Sequence, residues 1–430
     1  MNKMENTARE PRPPILVAHP ARQHSHHLAA ALDRTGMLQI YLTMIPTLEI
    51  LERWPFVGKR LIGSRLGPFD IEPSHFRCWM FPWALKRGLD TLIPRSALHA
   101  TEICAYAVFD LWVASLIPRL RPSIVVGYEM ACTASFETAK LHGATCVLDA
   151  AAFASGLQDE LLESEKRRAL TAIGRWVRRR KSAEIDLADV IICCSEMAAH
   201  SYVEAGVPSD RIVVNPLGCE VALFSVALRS SAGAPKFCFV GTASETKGFE
   251  DLLLSFNLHR AENPESELHI IGDVGAARNF GASDSQGGVT LHGKKTHAEL
   301  ARLLAGMDAL ILPSVLDSFG MVVPEALAAG LYVILSHRVG AGMMVVDERV
   351  GTIVPAGDRS ALTLAIDCTA RDIALVRKNA DLRRSVAHAY DWAHYRKRSI
   401  KIFQAIQSGG APFELVTTSL SRVRDLEAPS

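Results

Sequence analysis

Short apolar runs alternate with segments of helical periodicity along this chain. Ile15-Leu16-Val17-Ala18 is followed by a polar turn and an amphipathic stretch over residues 25–33, which predicts strand, loop and helix. Similar runs recur at 123–127, 145–149 and 190–194, each with a helical pattern nearby. A second series begins at Phe237-Cys238-Phe239-Val240-Gly241 and continues at 268–271, 309–312 and 332–335, with helical patterns at 251–256 and 298–305 between them. Strands without polar alternation belong to sheets covered on both faces, and such sheets are parallel. Two α/β units in tandem follow. Residues 223–235, with Ser230-Ser231-Ala232-Gly233-Ala234-Pro235, read as the linker between them. Ligands of doubly wound sheets sit where strand C-termini face a crevice, here the gap between the two units.

The longest apolar stretches do not reach the length of an uninterrupted membrane span. Residues 105–118 contain Asp110, and residues 319–335 contain Pro324 and Glu325, so both are expected as buried elements of a globular core. The first fourteen residues lack the apolar core of a signal peptide. Nine cysteines, an odd number with no CxxC pair, fit buried thiols in a reducing compartment, and a cytoplasmic protein is the expectation. A net charge of +1 removes any global attraction to nucleic acid, so a polyanion or membrane contact must come from a local patch.

The chemistry concentrates in the second unit. Pro313-Ser314-Val315-Leu316-Asp317-Ser318-Phe319-Gly320-Met321-Val322-Val323-Pro324-Glu325 follows a buried strand and enters a helix. Pro324 suits a first helical turn, and the amides around residues 320–323, backed by the helix dipole, favour a phosphate. Asp317 and Glu325 flank that anion site, and carboxylates beside a phosphate suggest hydroxyl recognition, hence a sugar or ribose joined to it. Val240-Gly241-Thr242-Ala243-Ser244-Glu245-Thr246-Lys247-Gly248 links the first strand of the unit to its first helix. Lys247 would supply a point charge for a diphosphate; the same pattern alone also describes an ordinary turn with a solvated lysine.

Together these residues resemble the C-terminal domain of the family 4 glycosyltransferases, retaining enzymes of the GT-B fold. The family pattern is strand, Val-Gly-Arg, Lys-Gly and helix, then Pro-Ser, an acidic residue, Phe-Gly and Glu-Ala. Here it is matched by Val240-Gly241, Lys247-Gly248, Pro313-Ser314, Asp317-Ser318-Phe319-Gly320 and Glu325-Ala326. Ile271-Gly272-Asp273, Leu291-His292-Gly293, and residues 351–358 extend the likeness, which covers about 185–400 well. The resemblance implies two Rossmann-like doubly wound parallel-sheet domains facing a central cleft. They are an acceptor-side domain over 1–225, rejoined by a helix within about 390–430 that carries Trp392 as a packing anchor, and a donor-binding domain over 230–388. It further implies that Lys247 and Asp317 are catalytic, Lys247 on the donor diphosphate and Asp317 on the transferred sugar. Glu325 would hold the ribose, and Gly241, Thr242, Ser318, Phe319, Gly320, Met321 and Val322 would line the donor, with Gly293 and Lys294 near the base. The substrates implied are a sugar nucleotide and a glycan or lipid-linked acceptor, with no cofactor and no metal, in cell-surface polysaccharide or glycolipid synthesis. A catalytically weak scaffold or sugar-nucleotide-binding partner of the same fold is the alternative. A nicotinamide enzyme has little support, because no GxGxxG follows a domain-opening strand.

Three departures from the family stand out. Asp317 replaces a glutamate, Thr242 replaces an arginine, and residues 150–155 lack the histidine that relatives place there. Loss of one charge-assisted bond at Thr242 is worth about 1.5–3 kcal/mol. The first loop, with His19, Arg22, Gln23 and His24, would lie on the acceptor side, and Arg22 or His24 could supply the missing cation. Equally, Ser25 could cap the helix with the histidines on its exposed first turn. Three close histidines with no acidic or cysteine partner make a poor metal site. Finally, the segment from Lys166 to Lys181 holds eight basic residues and no acidic one, with Trp176 among them. A second stretch, 52–95, carries Trp54, Phe56, Trp79, Phe81 and Trp83 and has eight basic to four acidic residues. Basic residues interleaved with aromatics would suit an anionic membrane surface and a peripheral position at its inner face; a solvated helix face beside core aromatics is the plainer alternative.

Overall fold

The computed structural model describes residues 14–21, 23–46, 70–90, 98–157, 171–225, 233–283 and 287–410. In the first domain β1 (Ile15–His19), α1 (Ser25–Arg34), β2 (Leu38–Thr43), β3 (Phe76–Cys78), α2 (Phe81–Asp90) and α3 (Leu98–Leu120) lead to β4 (Ile124–Tyr128). Then come α4 (Thr133–Leu141), β5 (Thr145–Ala150), α5 (Ala172–Leu187), β6 (Val190–Cys193), α6 (Glu196–Glu204), β7 (Ile212–Val214) and the short α7 (Val221–Phe224). The second domain runs β8 (Lys236–Val240), α8 (Phe249–Glu262), β9 (Glu267–Ile271), α9 (Val274–Asn279), β10 (Val289–Leu291), α10 (His297–Leu304), β11 (Ala309–Leu312), α11 (Val322–Ala328), β12 (Tyr332–Ser336) and β13 (Gly351–Val354). Helices α12 (Arg359–Arg371), α13 (Ile373–Lys378), α14 (Ala380–His388) and α15 (Trp392–Gln407) close the chain.

Both sheets are wholly parallel, in the orders β3-β2-β1-β4-β5-β6-β7 and β10-β9-β8-β11-β12-β13. Residues of the central strands β1, β4, β11 and β12 are buried along their length, which explains the unbroken apolar runs of the sequence. Each order reverses once, between β1 and β4 in the first sheet and between β8 and β11 in the second. Loops leaving adjacent strands at such a point diverge and open a crevice. The last helix, α15, packs on α1 of the first domain: Trp392 stacks on His27 at 3.8 Å between ring centroids, and Gly218 lies against its ring. Residues 411–430 lie outside the described residues, as do Trp54, Phe56 and residues 166–170 of the two basic stretches.

Two expectations need correction. Residues 319–335 are core, but the other apolar stretch is so on one face only. In α3, Phe109, Val113 and Ile117 are fully buried, while Val108 and Leu111 are exposed. Its buried carboxylate, Asp110, holds neighbouring elements together. It accepts the Ala134 and Ser135 amides at the start of α4 (2.8 and 2.9 Å) and meets the Arg180 guanidinium from α5. Glu184 of α5 takes the Met130 and Cys132 amides at the same helix start (2.6 and 3.1 Å). Part of the basic segment is therefore turned inward, through Arg180 on Asp110 and Lys181 at 3.5 Å from Glu129. Six of the nine cysteines are buried, while Cys104 on α3 is exposed.

Candidate active site

The reversal between β8 and β11 brings the two chemistry-bearing loops of the second domain together. The loop after β8 ends on Gly248, whose backbone is left-handed (φ 60°), and a Cβ there would stand 2.1 Å from the Pro313 carbonyl oxygen at the end of β11. Only glycine permits that approach. The Val315 amide then donates to the Thr246 carbonyl at 2.9 Å, and the Lys247 ammonium meets the Asp317 carboxylate. The backbone of Asp317 is fixed from the other side by the loop after β12: its amide donates to Arg338 at 3.0 Å and its carbonyl accepts from Gly340 at 2.9 Å. Gly320 takes φ 85° where a Cβ would press on Val339, and its carbonyl receives the Val323 amide at 2.8 Å as α11 begins. The amides of Gly320, Met321 and Val322 have no backbone carbonyl partner among the described residues.

Glu325 follows within the first turns of α11. It is 8% exposed, and burial pushes its carboxyl up to about 8. The His297 ring at the start of α10 lies beside it, with Nε2 3.7 Å from the carboxyl oxygen. Lys247, Asp317 and Glu325 thus gather around one loop, a cation and two acids beside open amides, at the crevice of the second sheet.

Other sequence candidates are placed differently. Thr242 is exposed, and Lys294 pairs with Asp273 at 3.0 Å. Gly293 (φ 73°) supports the turn before α10, and Gly272 lets the end of β9 close on Gly241, since a Cβ on Gly272 would strike the Gly241 carbonyl. Phe319 is buried in the core, so only its backbone faces the loop. The Ser318 hydroxyl does not point at an open site: it donates to the Ala151 carbonyl at 2.7 Å, in the first-domain segment where relatives carry a histidine. The Ser318 carbonyl in turn accepts from Ser195 at 2.6 Å. Ser318 therefore clasps the donor loop to the ends of β5 and β6, a role the sequence did not reveal.

The first loop also differs from expectation. Arg22 lies outside the described residues, and Gln23 is exposed. His24 is buried, with Nε2 2.9 Å from Asp149 of β5, and it sits edge-on to Tyr128 and Tyr395. His19 packs on Tyr128 at 4.3 Å, and burial followed by repulsion from His24 pushes it down to about 3, so it is neutral. His24 is thus committed to Asp149 rather than offered as a cation in the cleft. Ser25 does not cap α1 either, for its hydroxyl pairs with the Tyr41 hydroxyl at 3.0 Å inside the domain. No cluster of three or more His, Cys, Asp or Glu suited to a metal occurs among the described residues.

The family model described as "Glycosyl transferases group 1" matches residues 234–372, the stretch that carries this site. The glycogen synthase of Mycobacterium tuberculosis is 23% identical over 92% of this chain and 93% of its own. The D-inositol 3-phosphate glycosyltransferase of Arthrobacter sp. (strain FB24) is 29% identical over 41% of this chain and 47% of its own. These matches support a transferase enzyme similar to the family 4 glycosyltransferases. Among solved structures, the fold is shared with sucrose-phosphate synthase from Thermosynechococcus elongatus (TM-score 0.63, 17% identity, 93% of this chain and 100% of that one). It is shared too with Anabaena HepE in complex with UDP-glucose (TM-score 0.61, 13% identity, 91% and 100%). The architecture is GT-B, two Rossmann-like domains, and the scaffold alternative is not favoured by these matches.

Proposed function

We propose that this glycosyltransferase moves a sugar with retention of anomeric configuration, from a nucleoside diphosphate donor to a glycan or lipid-linked acceptor. It would serve the synthesis of a cell-surface polysaccharide or glycolipid, without a metal ion, at the cytoplasmic side of the membrane. The observation that carries the reading is the pairing of Lys247 with Asp317 on the loop 317–322 at the crevice of the second sheet, with Glu325 following in the helix that this loop enters. As the bond from C1 to the diphosphate oxygen breaks, negative charge grows on the leaving diphosphate. Lys247 and the amides of Gly320 to Val322 would neutralise it. Asp317, released from Lys247, would accept hydroxyl bonds from the transferred sugar, and Glu325 would accept those of the ribose. The acceptor hydroxyl attaches to C1 as the diphosphate departs from the same face and takes up the proton. A fold neighbour solved with UDP-glucose supports a sugar nucleotide as donor.

The test is incubation with a panel of sugar nucleotides and proton NMR of the first-formed product. An α-linked product from an α-linked donor supports the proposal; an inverted product refutes the retaining mechanism.

A further inference from the structure

Helices α2, α3, α4 and α5 form a continuous layer on the first domain, α2 packing on α3, α3 on α4 and α4 on α5. The outward face of α3 is unusual. Its exposed positions from Cys104 onward are Val108, Leu111, Ser115 and Pro118, spaced as one helical stripe, and none is charged until Arg119. Helix 100–120 is long and apolar enough to cross a membrane, yet its inner face is committed to this domain. Beside it, Phe81 and Leu85 of α2 stand out of the surface, 61% and 52% exposed, and with Cys104 and Val108 they line a groove of about 210 Å³ whose walls are almost wholly apolar. Soluble monomers seldom leave so many large apolar side chains together in water.

The charge around this face says what covers it. Arg119 and Arg121 are exposed at the end of α3, and Arg175, Arg178 and Arg179 are exposed on α5 beside the exposed Ile173 and Trp176. On the same two helices Asp110 and Glu184 are buried in the α4 cap, Glu102 is half-buried and accepts the Tyr106 hydroxyl, and Asp186 is exposed. On α4, exposed Lys140 is paired with Asp189 just beyond α5, and Glu137 is exposed. An apolar strip on α2 and α3, with arginines exposed at the end of α3 and, with a tryptophan, further along the same helix layer on α5, matches an anionic interface with hydrocarbon beneath it.

We propose that the α2–α3 groove and the arginines of α5 form one docking surface for an anionic lipid bilayer, the apolar side chains entering the acyl region and the arginines meeting the headgroups. This deepens the lipid-linked branch of the proposed function, since it places the acceptor domain on the surface that would hold such an acceptor. It also moves the contact from the basic segment alone to a composite face led by Phe81, Leu85, Val108 and Leu111.

Flotation of the full chain with vesicles of phosphatidylcholine, with and without phosphatidylglycerol, tests it in the absence of donor and acceptor. The wild-type chain floats with the anionic vesicles. Phe81→Glu combined with Leu111→Glu lowers the partition coefficient at least about tenfold, at low and high salt alike. Arg175→Glu with Arg179→Glu lowers it by about fivefold or more per residue, and only at low salt. All four positions are exposed, so unchanged melting temperatures should accompany the losses. A wild-type chain that stays unbound, or apolar variants that float as well as wild type, overturns the proposal. So does a dimer in sedimentation velocity that the apolar variants abolish while vesicles bind neither form; that result assigns the face to a second copy. Nucleotide-sugar turnover measured on the same samples is independent, so failure of docking leaves the transferase reading standing.

Discussion

Glu325→Gln should stabilise the protein in alkaline solution while removing a donor contact. The wild-type carboxyl is nine-tenths buried, and the His297 ring, 3.7 Å away, is itself largely in water. Burial raises its pKa from 4.5 to about 8. A raised acid binds its proton more tightly in the folded than in the unfolded chain. Its stabilising effect is therefore complete below pH 4.5 and is lost as pH climbs to about 8. One pH unit of such a gap corresponds to about 1.4 kcal/mol, so the wild type should lose on the order of 4 kcal/mol across this window that a neutral glutamine does not lose. Urea unfolding at pH 5 and pH 8.5 measures it. The two proteins should lie close at the acid end, and Glu325→Gln should be the more stable by a few kcal/mol at the alkaline end. Parallel stability–pH curves would refute the reasoning, because they would mean that the carboxylate is already ionised in the folded chain at neutral pH.

Lys247→Ala removes the cation from the loop after β8, and loss of a charge-assisted bond of about 1.5–3 kcal/mol should cut kcat/KM for a sugar nucleotide by roughly 10- to 150-fold. Since the side chain is partly exposed and pairs with Asp317 at the crevice, the melting temperature should hold, which separates this from a folding defect. Gly248→Ala places a methyl 2.1 Å from the Pro313 carbonyl at a left-handed backbone, so it should destabilise the chain by more than about 1 kcal/mol in thermal denaturation and lower activity by moving Lys247 away from Asp317.

The tandem parallel sheets were legible because buried central strands leave unbroken apolar runs such as Ile15-Leu16-Val17-Ala18 and Ala309–Leu312. The donor loops were legible for a related reason: the close approach of Gly248 to Pro313 and the left-handed Gly320 demand particular residues at particular places. Strands of three residues were not. Phe76–Cys78 and Val289–Leu291 lie at sheet edges, where neither length nor burial imposes a pattern. Pairings across long separations were equally hidden. His24 with Asp149, Ser318 with Ala151, and the joint capping of α4 by Asp110 and Glu184 depend on how strand ends and helices are brought together, not on local spacing. Continuous apolarity in α3 concealed which of its faces meets the core, so a helix read as buried turned out half exposed.

The central claim is that the crevice beside Lys247, Asp317 and Glu325 binds a nucleoside diphosphate sugar. Calorimetric titration of the full chain with UDP, GDP and ADP, each paired with turnover of the matching sugar nucleotides, addresses it directly. At least one nucleotide should bind and its sugar conjugate be transferred or slowly hydrolysed, with both signals weakened by Lys247→Ala. Absence of binding to all three, with no turnover of any donor, would contradict the account.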